Sequence, residues 1–385
     1  MEAYLDNSAT TCCYEEVAEL TKKIMLEDYG NPSSMHTKGV EAEKYLRREQ
    51  DTLAGILKVK PQEIFFTSGG TESNNWALFG TAMSRKRRGR RMITTSIEHS
   101  AIAAPAAALE ELGYEIVRLP VDREGCVSME DLKASMTEDT ILVSVMMVNN
   151  EIGAVEPVAE IGGFLRENYP ECYFHVDAIQ AFGKYRILPK RMKIDMLSVS
   201  GHKIHGPKGS GFLYVDQRVR ISPIIYGGGQ QGGMRSGTDN VPGAAGLALA
   251  AEKIYSRLDT DVEYMYELKE HLAKGLLAIE DVKLHGSSEL RSGAPHILNA
   301  SFLGVRSEVL LHTLEDRGIY VSAGSACSSH RHGGSATMEA TRAGKAETES
   351  SVRFSFSELT TTEEIDYALQ VLREVLPQLR RFTRK

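Results

Sequence analysis

The sequence predicts an α/β fold, with a large domain built on a mainly parallel sheet flanked by helices and a smaller α+β C-terminal domain. Three observations predict it. At 385 residues the chain exceeds what one hydrophobic core commonly supports. Short apolar runs bounded by turn residues alternate with amphipathic stretches through the first two-thirds. Strands separated by helices need crossover connections, which give parallel pairing with both faces covered. After about residue 255 this alternation gives way to a long helical pattern and more scattered strands.

In chain order, the strand candidates of the large domain are residues 63–67, 91–95, 115–119, 140–145, 173–176, 196–199 and 211–215. Helical periodicity between them places helices over 71–82, 100–112, 129–135 and 158–168. Beyond residue 255 the pattern predicts a helix over 262–279, strands near 282–285 and 296–302, and helices over 307–317 and 362–380. The large domain is set at residues 12–255, and the small one at residues 1–11 with 256–385. In open parallel sheets, ligands sit at the carboxyl ends of the strands, so the loops there are where chemistry is sought.

Composition narrows the function classes. Hydrophobic content of 42% and charged content of 25% are those of a soluble globular protein. A net charge of −7 argues against a general nucleic-acid binder, although Arg85, Lys86, Arg87, Arg88, Arg90 and Arg91 form a basic run. That run reads as a solvated helix end, with a docking patch for an acidic partner as the alternative. The five cysteines are scattered and lack paired metal-finger spacing. No secretory signal and no membrane-length apolar run is recognised, so a cytoplasmic protein with free thiols is expected.

Four segments carry candidate chemistry. Ser198-Val199-Ser200-Gly201-His202-Lys203 closes a strand with a lysine among small and hydroxyl residues, well placed for a Schiff base, with Ser200 and His202 near enough in sequence to bind a phosphate. Thr67-Ser68-Gly69-Gly70-Thr71 is a glycine turn leading into a helix, where backbone N–H groups can meet an anion. It is neither a Walker A loop nor a G-x-G-x-x-G fingerprint. His175-Val176-Asp177-Ala178-Ile179-Gln180 ends a strand with a carboxylate suited to keeping a pyridine nitrogen protonated. Gln180 and Asn150 could bond a phenolic oxygen, and His99 could stack on a ring and shuttle protons. Each alone has a structural reading, such as a cap or a satisfied histidine. Their recurrence at the ends of separate strands points to one shared ligand.

With these segments in view, the chain resembles the cysteine desulfurases that serve nitrogenase and general iron–sulfur cluster assembly, among the aminotransferase class V, fold-type I pyridoxal-phosphate enzymes. The resemblance runs from Tyr4-Leu5-Asp6-Asn7-Ser8-Ala9-Thr10-Thr11, through Met234-Arg235-Ser236-Gly237-Thr238, to Ser325-Ala326-Cys327-Ser328-Ser329 and Ser351-Val352-Arg353-Phe354-Ser355. It implies that Lys203 holds pyridoxal 5'-phosphate covalently. Gly70, Thr71, Ser200 and His202 would cradle the phosphate, with Thr238 supplied by the partner subunit of a homodimer, and Gly201 would also border the cofactor. Asp177 would pair with the pyridine nitrogen, Gln180 and Asn150 with the phenolic oxygen, and His99 with the ring face. Arg353, with Asn150, would bind the substrate carboxylate, and Cys327 would take sulfur from L-cysteine as a persulfide. The implied partners are L-cysteine and a sulfur acceptor such as a cluster scaffold protein, with no nucleic acid and no membrane.

The chain departs from the family pattern at Cys12-Cys13, where a proline is usual, and after Cys327, where His330-Arg331-His332 stands. No metal site is otherwise expected; Cys327 is a candidate iron–sulfur ligand, and a scaffold role for it is one alternative reading. Another is selenocysteine lyase activity or a different class V pyridoxal-phosphate reaction.

Overall fold

The computed structural model describes residues 1–323 and 335–383. Cys327 lies outside the described residues. In chain order the elements begin with β1 (Ala3–Tyr4), α1 (Glu15–Leu26), α2 (Thr37–Leu57), β2 (Ile64–Thr67), α3 (Gly70–Arg85), β3 (Arg91–Thr95), α4 (Ser100–Glu111) and β4 (Glu115–Leu119). They continue with α5 (Met129–Ser135), β5 (Thr140–Met146), α6 (Val158–Asn168), β6 (Tyr173–Asp177), α7 (Pro189–Met192), β7 (Met196–Ser200), β8 (Gly211–Val215) and α8 (Val241–Leu277). The remainder is β9 (Val282–His285), β10 (Ile297–Phe302), α9 (Ser307–Glu315), β11 (Ile319–Tyr320), β12 (Ser322–Ala323), α10 (Ala336–Ala340), α11 (Lys345–Glu349), β13 (Ser351–Ser355) and α12 (Thr362–Thr383).

Seven strands form the large sheet in the order β2-β8-β7-β6-β5-β3-β4. β7, β6, β5, β3 and β4 are parallel, whereas β8 runs antiparallel to both its neighbours. The central strands are apolar runs because helices cover both faces: all seven residues of β5 and all five of β6 are buried. β4 has one neighbour and carries Glu115 and Arg118, charges that blunt a sheet edge. A second apolar cluster gathers Leu5, Phe302, Phe354, Phe356 and Leu372 around the antiparallel sheet β12-β13-β10-β9. Residues 3–4 pair with β11, so the N-terminus packs among C-terminal elements.

The expected strands fall within a residue or two of those observed. The helix expected from 262 instead starts at Val241, where Asn240 accepts the Gly243 N–H and Pro242 occupies the first turn. Its Gly- and Ala-rich first half is small and buried on several sides, which masks the 3.6-residue period. Residue 255 lies inside this helix. α1 and α2 go undelimited in the sequence pattern because α2 buries Gly39, Ala42 and even Glu49 beside only a few large apolar groups. Of the basic run, Arg85 pairs with Glu171 and stacks on Tyr173, and Arg91 pairs with Glu115, so these two serve the fold.

Candidate active site

A cavity of about 280 Å³ opens at the carboxyl ends of β6 and β7. It exists there because each strand stops where its last residue meets a loop, which leaves backbone and side-chain polar groups facing a common space. β6 delivers Asp177, which is 4% exposed. Its Oδ1 accepts the Ile179 N–H at 2.9 Å and its Oδ2 accepts from Asn74 Nδ2 at 2.7 Å. Burial pushes its pKa up; those two donors and the nearby His99 and Lys203 pull it back toward the ionised form. A carboxylate so placed is ready for a cation.

β7 ends at Ser200 and turns through Gly201–Lys203. Lys203 Nζ donates to the carbonyls of Ser8 at 2.5 Å and Ala9 at 2.8 Å, so the N-terminal segment crosses beneath the site. His202 Nδ1 lies 3.2 Å from Thr10 Oγ1. Burial, then the charges of Lys203 and Lys208, depress its pKa to about 4, which leaves it neutral at physiological pH.

The glycine turn after β2 starts α3, a helix of 16 residues. Gly69 has φ 144°, a left-handed conformation that suits glycine. A Cβ on Gly70 would meet Ile179 Cδ1 at 2.0 Å, so a side chain there would collide with the cavity wall. The first N–H groups of a helix have no intrahelical acceptor, and here they adjoin Thr71 and Ser200. This donor set suits a phosphate. With the buried carboxylate and the lysine in the same cavity, the residues fit pyridoxal phosphate.

His99 caps α4, its Nδ1 accepting the Ala101 N–H at 3.1 Å, which puts the proton of the neutral ring on Nε2. Its ring presents surface to the cavity, yet desolvation by the surrounding protein holds its pKa below the ordinary value. Asn150, Gln180 and Arg353 complete the wall. Gln180 donates to the Ser8 carbonyl at 3.0 Å and faces His296 at 3.2 Å. Arg353 donates to the Asn150 carbonyl, Asp6 and Ser322.

Ten of the residues singled out in the sequence therefore share one cavity. Gly201 does not line it; it is buried behind, where a Cβ would meet Ser210 Oγ at 2.4 Å. Thr238 is exposed and lines neither this cavity nor the open one of about 400 Å³ beside the glycine turn. Four groups were missed by sequence reasoning: Asn74, the Ser8–Ala9 carbonyls, His296 and Asp6. Asn74 sits one helical turn past Gly70, a spacing that aims it back at the strand ends. The others become neighbours only through long-range packing. Among the described residues, no group of three or more His, Cys, Asp or Glu side chains is placed to hold a metal ion. No described helix is long and apolar enough to cross a membrane.

Comparison with known proteins places relatives around this geometry. The aminotransferase class-V family model matches residues 3–368. The cysteine desulfurase IscS of Clostridium botulinum is 41% identical over 380 residues, covering 98% of this chain and 95% of that protein. A solved structure of a NifS-like protein superposes with a TM-score of 0.93 at 37% identity, covering 98% of this chain and all of that one. A structure of SspA in complex with cysteine has a TM-score of 0.82 at 30% identity, covering 93% of this chain and all of that one.

Proposed function

From the premise that the chain belongs to the aminotransferase class-V family, we propose how its residues divide the work of a pyridoxal-phosphate-dependent cysteine desulfurase. The protein is such an enzyme, and L-cysteine is its substrate. Bound pyridoxal phosphate supplies an electron sink that weakens bonds at the α- and β-carbons of an attached amino acid. Asp177, its carboxylate fixed by Asn74 and the Ile179 N–H, would hold a proton on the pyridine nitrogen. Lys203 anchors the cofactor and exchanges protons at the substrate α-carbon. The N-terminus of α3, Thr71, Ser200 and His202 would hold the phosphate. Gln180 and Asn150 would bond the phenolic oxygen, and His99 would serve the ring as a neutral group able to move a proton at Nε2. Arg353 would receive the substrate carboxylate.

We assign the sulfur-accepting role to Cys327. In the net reaction the Cβ–S bond of L-cysteine breaks, an S–S bond forms to Cys327, and the carbon skeleton leaves as L-alanine. Three of the four described cysteines support this choice. Burial pushes the thiols of Cys126 and Cys172 up to about 12, and raises that of Cys13 as well, so they carry little thiolate near neutrality. A homodimer fits the exposed Thr238 and the open cavity beside the glycine turn, which would take the partner's loop. In the same reading, residues 12–255 bind the cofactor, while residues 1–11 with 256–385 bring Arg353 and Cys327. A sulfur-acceptor protein, such as a cluster scaffold, would then unload the persulfide.

The observation that carries the reading is the meeting, in one cavity, of a lysine, a doubly held buried carboxylate and a helix N-terminus that tolerates no Cβ. The test is sulfide release from L-cysteine with a thiol reductant, by the wild type and by Cys327→Ser. The wild type should yield equal amounts of L-alanine and sulfide, and the variant almost none, while both still bind L-cysteine. Undiminished sulfide release by Cys327→Ser would move the role to another thiol, with exposed Cys12 the first to examine.

A further inference from the structure

We propose that Asp6 is a built-in competitor for the substrate carboxylate, occupying Arg353 until L-cysteine arrives and so setting the affinity for it. This rests on the assignment of Arg353 above and deepens it.

Strand pairing brings the groups together. Ser322 on β12 lies opposite Arg353 on β13, and Asp6 bridges to Ser355, two residues further along the same strand. The Arg353 side chain is 6% exposed and that of Asp6 19%. Arg353 Nη2 donates to Asp6 Oδ1 at 2.8 Å and to Ser322 Oγ at 2.9 Å. The Ser322 hydroxyl in turn donates to Asp6 Oδ1 at 2.8 Å. Nη1 donates to the Asn150 carbonyl at 2.8 Å, and Nε is buried without a partner.

Covalent geometry decides what this means. A guanidinium has two edges that offer a pair of parallel N–H groups, Nη1 with Nη2 and Nε with Nη2. Both include Nη2. Its two acceptors, themselves 2.8 Å apart, lie about 60° from each other as seen from Nη2, half the angle between its hydrogens, so they crowd one side of that group. A second carboxylate on either edge would stand beside the Asp6 anion on the same guanidinium and be repelled by it, so substrate binds best when Asp6 gives way. Asp6 is the chemical equal of the incoming group. The exchange replaces one carboxylate by another, so the buried guanidinium never lacks a counter-charge. Apparent affinity is then reduced by the fraction of enzyme in which Asp6 holds the site.

The experiment uses holoenzyme of the wild type, Asp6→Asn and Ser322→Ala. Steady-state KM and kcat are measured for L-cysteine. Dissociation constants are measured from the cofactor absorbance for L-alanine and for ethylamine, which is L-alanine without its carboxylate. Asp6→Asn keeps the acceptor oxygen and removes the charge. It should lower KM for L-cysteine and the L-alanine dissociation constant by roughly three- to tenfold, the range of a partly exposed ion pair. Ethylamine binding should be unchanged and kcat should stay within about twofold. An L-alanine constant that is unchanged or raised in Asp6→Asn overturns the proposal, because a purely structural pin would act in that direction. Should that variant fail to fold by circular dichroism, Ser322→Ala decides. It removes the hydroxyl that donates to Asp6 Oδ1 and so loosens Asp6 from the guanidinium, and L-alanine should bind about twofold tighter, whereas equal or weaker binding overturns the idea. A wild type that releases no sulfide from L-cysteine would instead sink the desulfurase reading, and the alanine–ethylamine comparison would still judge Asp6.

Discussion

Asp177→Asn isolates charge from shape at the centre of the site. The carboxylate accepts from Asn74 Nδ2 and from the Ile179 N–H, so an amide in its place keeps one acceptor for Ile179 and turns an N–H toward Asn74. That would set donor against donor, except that Asn74 Oδ1 is buried without a partner. A turn of the Asn74 amide about its own axis offers that oxygen to the new N–H, and both hydrogen bonds survive. The fold should therefore be little affected, with a melting temperature near that of the wild type. What is lost is the anion we assign to the pyridine nitrogen. A hydrogen bond to a charged group contributes about 1.5–3 kcal/mol, and each 1.36 kcal/mol is a factor of ten in rate. A loss of kcat of roughly 10²-fold follows, with KM changed far less. The assay is initial sulfide release from L-cysteine at saturating pyridoxal phosphate, paired with thermal denaturation of the same samples. Activity within about threefold of the wild type would refute the role given to Asp177. Activity lost together with cooperative unfolding would refute the argument that the amide is accommodated.

Thr238→Ala should loosen the cofactor by the roughly 1.5–3 kcal/mol of a lost hydrogen bond to a charged group, read as faster loss of pyridoxal phosphate on dialysis. Retention identical to the wild type would remove Thr238 from the phosphate site. Glu156 predicts a pH effect on stability rather than on chemistry. It is 2% exposed, its Oε2 accepts the Val127 N–H and its Oε1 has no partner. Burial raises its pKa from 4.5 to about 8. A carboxyl raised in the folded state is stabilising below the unfolded value, and that contribution is lost as pH rises through the folded one. The wild type should thus lose of the order of 5 kcal/mol between about pH 4.5 and 8 from this group, and Glu156→Gln should not. Melting curves across that range check it, and parallel pH profiles for the two proteins would refute it.

The alternation of strands and helices, the glycine turn, the strand-end aspartate and the lysine are all legible in the chain. Each is a local pattern: periodicity fixes an element, and the turn or cap beside it fixes where the element stops. The buried runs of β5 and β6 announce a covered parallel sheet for the same reason, since strands without a solvent face need no polar alternation. Even so, α8 defeats local reading through its small residues, and the antiparallel placement of β8 leaves no mark on its own five residues. The partners of the functional groups are a different matter. Asn74 lies 103 residues from Asp177, the Ser8 carbonyl 195 from Lys203, and Asp6 347 from Arg353. No periodicity links positions so far apart; they meet because sheet register and the packing of the N-terminus against β11 and β13 bring them together. Sequence therefore determines which chemical groups are available, and tertiary structure alone decides which of them face one another. Hydrogen bonds act over about 3 Å, a distance that only the folded chain defines.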